Sequence, residues 1–202
     1  MIASIVPAAG RSERMGRPKL ILPIDGRTVI ARVVHALGQG GAKPVVVITP
    51  PRDAAGASTL IDEADRAGAI VKIAENRPPD MRASFEIGLA HLERSDCPSA
   101  VMLTPADSLG ITAALVAQLM KHSETVPEAI LIPTYQGRRG HPIVLPWTLA
   151  IQSRELPQGV GLNALVALHA SEVIEVAVDE SGALEDLDTP EDYQRWIRSP
   201  PQ

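Results

Sequence analysis

A three-layer α/β/α fold around a mostly parallel central sheet is what this sequence predicts, on three observations. Short β-rich apolar runs alternate with helical patterns from end to end, the order that places helices on both faces of a parallel sheet. The helical stretches carry apolar stripes at i, i+3, i+4 and i+7. The chain has 202 residues, 45% apolar and 21% charged, enough for one well-buried core and few for two. A single domain over residues 1–202 is therefore expected.

Taken in order, Ile2 to Pro7 is the first strand. No basic region precedes it and charge at Arg11 stops it, so it resembles neither a signal peptide nor a membrane span of ~20 residues. Thr28 caps a helix whose stripe is Ile30, Val33, Val34 and Leu37. Strands follow at Pro44 to Thr49 and Ala69 to Ala74, then a helix after Met81 with Phe85, Gly88, Leu89 and Leu92 on one face. A strand at Ala100 to Thr104, a helix from Thr112 to His122 and a strand at Ala129 to Pro133 continue the alternation. Gln136 to Pro157 breaks it with the run GRRGHP, a short Ile143-Val144-Leu145 strand and Pro146, and is expected to project as a lobe from the far half of the sheet. Glu172 to Val178 is the last strand. Thr189-Pro190-Glu191-Asp192 then sets a cap, a first-turn proline and two acids in the favoured order for a final helix. Ser199 to Gln202 is expected to fray.

Composition narrows the partners. A net charge of -5 and a pI near 5.5 argue against broad phosphate-backbone binding. Aromatic residues at 2% leave no rows of rings on which bases could stack. Nucleic acid and membrane are thus not expected as partners. The lone Cys97 cannot form an internal disulfide, and no His or Cys cluster has zinc spacing. A reducing, cytoplasmic setting is the expectation.

The charge distribution has one anomaly. Residues 7–19 read PAAGRSERMGRPK, with Arg11, Arg14, Arg17 and Lys19 crowded into the loop that leaves the first strand. Ligands of parallel α/β sheets bind at the carboxyl ends of strands. Ala8, Ala9 and Gly10 let a backbone approach closely and offer N–H groups, while Arg11, Arg14 and Lys19 supply donors for phosphate oxygens. A polyphosphate fits this chemistry better than a merely solvated basic loop. The spacing is neither a Walker A loop nor GxGxxG, which argues against a dinucleotide-dependent oxidoreductase.

One acidic position belongs to the same edge, and a second acidic stretch lies near the end of the chain. Asp107 follows the strand Ala100 to Thr104 within three residues, where a carboxylate, water and substrate phosphates would suit Mg2+; a turn or cap near Thr112 is the alternative use. Asp186 and Asp188 lie two apart on one face of an extended segment. Asp188 is the second expected metal-facing carboxylate and Asp186 a supporting one, with helix capping as the alternative.

The spacing Ala8-Ala9-Gly10-x-x-x-Arg14-Met15-Gly16-x-x-Lys19 closely resembles the AAGxGxRMGxxK signature of the MobA-like nucleotidyltransferases, the group that contains the molybdenum cofactor cytidylyl- and guanylyltransferases. The resemblance implies a GT-A-like, nucleotide-diphospho-sugar transferase fold with a nucleoside triphosphate over this loop and Arg14 and Lys19 on its phosphates. Pro7 stands where a leucine is usual and Ser12 where a second glycine is frequent. Asn76 to Ser84 resembles the family's N-x-x-x-G-M-x-x-S stretch, which implies base and ribose contacts for Asn76 and Ser84, with Asp80 replacing the glycine. Pro105-Ala106-Asp107-Ser108-Leu109 stands where the family has GDMP, and Leu184 to Asp192 resembles DIDTPED.

On the acceptor side, Arg139-Gly140-His141-Pro142 resembles the GHP element of the cofactor cytidylyltransferase branch. This implies that Gly140 and His141 lie beside the acceptor, with His141 donating to an acceptor phosphate or poising a proton near pH 7. The GDxGAR element that should follow is lost, since Gln158 to Asn163 lacks both its aspartate and its arginine. A nucleotide-binding half (about 1–110) is thus expected to be intact and an acceptor half (about 111–198) altered. The implied reaction moves a nucleoside monophosphate from CTP or GTP to a phosphorylated acceptor, molybdenum cofactor included, and releases pyrophosphate. Arg14, Lys19 and Asp107 are its catalytic candidates, Asp107 and Asp188 its Mg2+ ligands, and a client molybdoenzyme a protein partner. A nucleotide-binding or chaperone-like relative without turnover is the alternative.

Overall fold

In the computed structural model, residues 1–95, 97–179 and 181–198 are described. Ser199 to Gln202, expected to fray, lie outside them. The chain runs through β1 (Ile2–Pro7), a hairpin of β2 (Pro23–Ile24) and β3 (Arg27–Thr28), α1 (Val29–Gln39), β4 (Val45–Thr49), α2 (Ala57–Arg66), β5 (Ile70–Ile73), α3 (Met81–Leu92) and β6 (Ala100–Leu103). Beyond β6 come α4 (Ala113–Thr125), β7 (Ile130–Tyr135), β8 (Arg138–Arg139), β9 (Ile143–Pro146), α5 (Trp147–Ala150), α6 (Leu162–Leu168), β10 (Val173–Ala177) and α7 (Pro190–Arg198). Each expected strand is present. The helix α2 goes beyond the sequence reading, although its buried stripe of Ala57, Leu60, Ile61 and Ala64 has the ordinary helical spacing.

The main sheet has the order β10-β7-β9-β6-β1-β4-β5, with β8 paired to β7. β1 runs parallel to β4 on one side and to β6 on the other, so that Ile5 lies between Val46 and Leu103. Both faces are covered. Val6, Val47 and Met102 pack with residues of α1, α2, α4 and α7, while Ala3, Ile5, Val46 and Leu103 pack with residues of α3 and α6. These are the three expected layers, and the near-continuous apolar runs of β1, β4 and β6 follow from burial on both sides.

Strand order places the functional edge. From β1 the chain moves outward to β4 and β5, then returns by α3 to β6 on the opposite side of β1. Loops leaving β1 and β6 therefore diverge, and a crevice opens at this switch point.

The expected lobe at Gln136 to Pro157 is not a projection. β9 enters the main sheet between β6 and β7, antiparallel to β6 along Ala100–Leu103. Val144 and Leu145 are each 1% exposed, and burying them inside the sheet outweighs leaving them on a lobe. Only the β7–β8 hairpin stands apart. Its Gln136-Gly137 turn has φ of 50° and 76°, the left-handed pair of a two-residue hairpin turn.

α3 sits close against β1. A Cβ added to Gly88 would lie 2.6 Å from Ile5 Cγ2, and Ile5 is fully buried. Gly88→Ala is expected to cost about 1–3 kcal/mol through overpacking, measured by chemical denaturation against the wild-type chain. A substitution with no effect would show that α3 can slide along the sheet.

Candidate active site

The opening loop, the start of α3, the loop after β6 and the segment before α7 meet at the carboxyl edge of β1 and β6. Together they enclose a cleft of about 550 Å³ lined by Ala8 to Arg14, Lys19, Arg77 to Met81, Ser84, Pro105 to Asp107 and Asp188. That volume is in the usual range of small-molecule sites.

Local sequence explains the shape of the loop. Ala8 donates its N–H to the Ile48 carbonyl at 2.8 Å, which continues the β1–β4 pairing past Pro7. The Ala8 amide is therefore not available to a ligand as the sequence suggested, and the residue contributes a small wall instead. Ser12 has φ 53°, a conformation normally left to glycine. Its Oγ accepts the Lys19 N–H at 3.2 Å, so serine performs a closure that glycine could not. The Arg77 guanidinium donates to the carbonyls of Ala9 and Gly10. Each peptide's N–H is thereby turned the opposite way, since carbonyl and N–H are antiparallel in a trans unit. Arg17 stacks over Tyr193 of α7 at 5.2 Å, a cation–π contact, and so serves to pin the loop.

The carboxylates meet at one cation. Lys19 Nζ lies 2.5 Å from Asp107 Oδ2 and 3.1 Å from Asp188 Oδ1, and Arg14 Nη2 is 2.9 Å from the same Asp188 oxygen. Asp188 is not a cap. Thr189 fills that role, its Oγ1 accepting the Asp192 N–H at 3.2 Å while Asp192 Oδ2 accepts the Thr189 N–H at 2.9 Å, a reciprocal capping box. Asp107 is no cap either, since Thr112 Oγ1 accepts the Leu115 N–H. What brings the two aspartates together is a strap of main chain. The Leu187 N–H donates to the Asp107 carbonyl at 3.0 Å, and Ser108 Oγ donates to Asp186 Oδ1 at 2.8 Å. Asp186 thus supports the site from Ser108 instead of facing Lys19. Although the residue as a whole is exposed, local desolvation of its carboxyl and the nearby Asp107 charge raise it above the usual range, against the lowering effect of the Ser108 hydrogen bond.

Two oxygens that converge on one ammonium can converge on one metal ion, and hard carboxylate oxygens suit Mg2+ or Mn2+. Among the described residues no three His, Cys, Asp or Glu side chains gather as metal ligands. The remaining positions would fall to substrate oxygens and water.

The other expected residues divide. Ser84 lines the cleft and is 2% exposed, with its Oγ donating to the Asp80 carbonyl at 3.3 Å. Asp80 caps α3 by accepting the Ala83 N–H at 2.8 Å, a use open to it in the place of the family's glycine. Asn76 is exposed and does not line the cleft, whereas its neighbour Arg77 does. Gly140 and His141 lie in a separate cavity of about 370 Å³ with Arg139 and Asn163. Gly140 is also needed for packing, because a Cβ there would lie 2.2 Å from the Ala183 carbonyl oxygen. His141 Nδ1 is buried without a partner. Burial lowers the imidazole's pKa, against the raising influence of Asp186, Asp107 and the nearby Leu103 carbonyl. Its protonation is thereby shifted to lower pH than that of a free imidazole.

Arg77 and Arg82 escaped the sequence reading. Arg82 Nη1 donates to the carbonyls of Leu156 (3.2 Å), Pro157 (2.8 Å) and Val160 (2.9 Å), which fixes the stretch where GDxGAR is lost. Each arginine binds carbonyls far away in sequence, a partnership that local spacing does not encode.

Fold and cleft together define a nucleotidyltransferase, with a basic small-residue loop facing two carboxylates across a space of nucleotide size. Residues 4–173 match the MobA-like NTP transferase domain, and the chain belongs to that family. It is 28% identical over 203 aligned residues to a 2-C-methyl-D-erythritol 4-phosphate cytidylyltransferase of Frankia casuarinae, covering 94% of this chain and 71% of that protein. It is 29% identical over 138 residues to a probable molybdenum cofactor guanylyltransferase of Bacillus cytotoxicus, covering 68% and 64%. Among solved structures, Rv0371c of Mycobacterium tuberculosis superposes with a TM-score of 0.82 at 26% identity, over 98% of this chain and 97% of that one. A structure of Rv0371c in complex with manganese superposes with a TM-score of 0.77. Among the described residues, no helix is long and apolar enough to cross a membrane.

Two outcomes follow from this geometry. Arg77→Ala removes a charged donor from two loop carbonyls and is expected to weaken nucleotide binding roughly tenfold, read by calorimetric titration. Since the folded His141 has a lowered pKa, the unfolded chain takes up that proton first. Stability contributed above the ordinary imidazole value is then lost as pH falls toward the folded value. Thermal melts from about pH 7.5 to 5 should fall more steeply for wild type than for His141→Gln, and equal slopes would contradict the burial effect.

Proposed function

We propose that this enzyme transfers a nucleoside monophosphate from a nucleoside triphosphate, CTP or GTP first, to a small phosphorylated acceptor with release of pyrophosphate. Mg2+ is the proposed metal, and molybdenum cofactor and a client molybdoenzyme are the acceptor and partner that the family resemblance suggests. The observation that carries this reading is the convergence of Asp107 and Asp188 on Lys19 beneath the opening loop.

In the proposed reaction an acceptor oxygen attacks the α-phosphorus in line. A new P–O bond forms, the bond to the β-phosphate oxygen breaks, and pyrophosphate leaves with the electron pair. Lys19 and Arg14 meet the charge that develops on the leaving group, and Gly10 and Arg11 border the phosphates. The end of α3 at Asp80 and Met81 borders the same cleft, its N-terminal dipole favouring an anion. Asp107 and Asp188 would hold a divalent cation, which supplies charge neutralisation when bound. The smaller cavity with Gly140, His141 and Asn163 is the proposed acceptor side. There His141 acts as a hydrogen-bonding group, and the missing GDxGAR charges argue for an acceptor other than the usual one.

Incubation with CTP, GTP, ATP or UTP, Mg2+ and candidate acceptors, followed by pyrophosphate release, tests the reading. Asp107→Ala is expected to lower turnover by at least about a hundredfold while circular dichroism stays unchanged. A variant with full Mg2+-dependent turnover would refute the role of Asp107. Nucleotide binding with no pyrophosphate from any acceptor would favour the non-transferring relative.

A further inference from the structure

The proposed metal position is already held by a side chain. Lys19 Nζ contacts Asp107 Oδ2 and Asp188 Oδ1 at 2.5 and 3.1 Å, and Arg14 adds a second cation at 2.9 Å from Asp188. Two carboxylates are matched by two cations, so the group has no net charge with which to attract a divalent ion. An ammonium and a metal cannot share the same two oxygens, because like charges would stand within a few ångströms without screening water.

We propose that Lys19 is a built-in counter-ion that keeps divalent metal out of the Asp107–Asp188 pair until a triphosphate draws it away. This rests on the reading of Asp107 and Asp188 as metal ligands and of Lys19 as a phosphate contact. The exchange needs no backbone movement. The Lys19 N–H is tied to Ser12 Oγ, so the main chain stays fixed while the flexible four-carbon stem swings. Arg14 has a side chain 70% exposed and is free to turn with it. A triphosphate offers both cations more negative charge than one carboxylate each. Their departure uncovers two acidic oxygens beside the phosphates, where a divalent ion is then attracted. Metal and nucleotide thus enter together, and metal alone binds weakly.

Mn2+ binding to the full chain, read by electron paramagnetic resonance without nucleotide, tests this. Lys19→Gln is expected to bind Mn2+ at least tenfold more tightly than wild type, and Lys19→Gln/Asp107→Asn to lose that gain. Arg14→Gln, at an exposed position where folding is not at stake, should show a smaller gain of the same sign. If wild type binds Mn2+ as tightly as Lys19→Gln, or if neither Lys19→Gln nor Arg14→Gln gains, the counter-ion role is overturned. A separate arm measures Mn2+ binding in the presence of CTP or GTP. Asp107→Asn that leaves this unchanged would overturn the metal-site reading itself, whatever Lys19 does.

Discussion

The candidate active site depends on a strap of one main-chain and one side-chain hydrogen bond between two segments about eighty positions apart in sequence. The Leu187 N–H reaches the Asp107 carbonyl, and the Asp186 carboxylate receives the Ser108 hydroxyl. Neighbouring close approaches reinforce it. Gly110 and Gly182 lie so near one another that a Cβ on Gly182 would fall 2.0 Å from the Gly110 carbonyl oxygen, and Gly140 lies against Ala183 in the same way. Without these contacts the segment before α7 would have no reason to lie at the edge of β6. Asp188 would then be a solvated acid on a linker.

Charge explains how an acidic chain handles an anion. The net charge is -5, but the cations of the opening loop have separate local tasks. Arg17 holds α7 through Tyr193, Lys19 and Arg14 balance the two aspartates, and Arg11 is exposed at the cleft. An exposed pair such as Arg14–Asp188 adds little to stability. Its value lies in the field it sets at the mouth of the cleft.

Much of this was legible in the sequence because it is local. Strand runs, helical stripes and the Thr28 and Thr189 caps arise from neighbours within a few residues, and all are present in the structure. The basic loop and Asp107 were legible because each directly follows a strand. Long-range placement was not. β9 looked like a lobe because its few residues carry no sign of which strands will flank them, and Arg77 escaped notice because its carbonyl partners lie 67 and 68 positions away. The position of Asn76 outside the cleft has the same origin, since spacing cannot say which of two adjacent residues a turn will direct inward.

The loop held by Arg82 carries a different consequence. A single guanidinium grips the carbonyls of Leu156, Pro157 and Val160, groups that every residue type possesses. Outside Leu156, which is buried, and Gly159, whose φ of 78° a side chain would strain, the shape of that stretch is therefore insulated from its own side chains. Substitutions at the remaining positions can accumulate without unravelling the loop, and the surface they present can change while the cleft beside β1 stays intact.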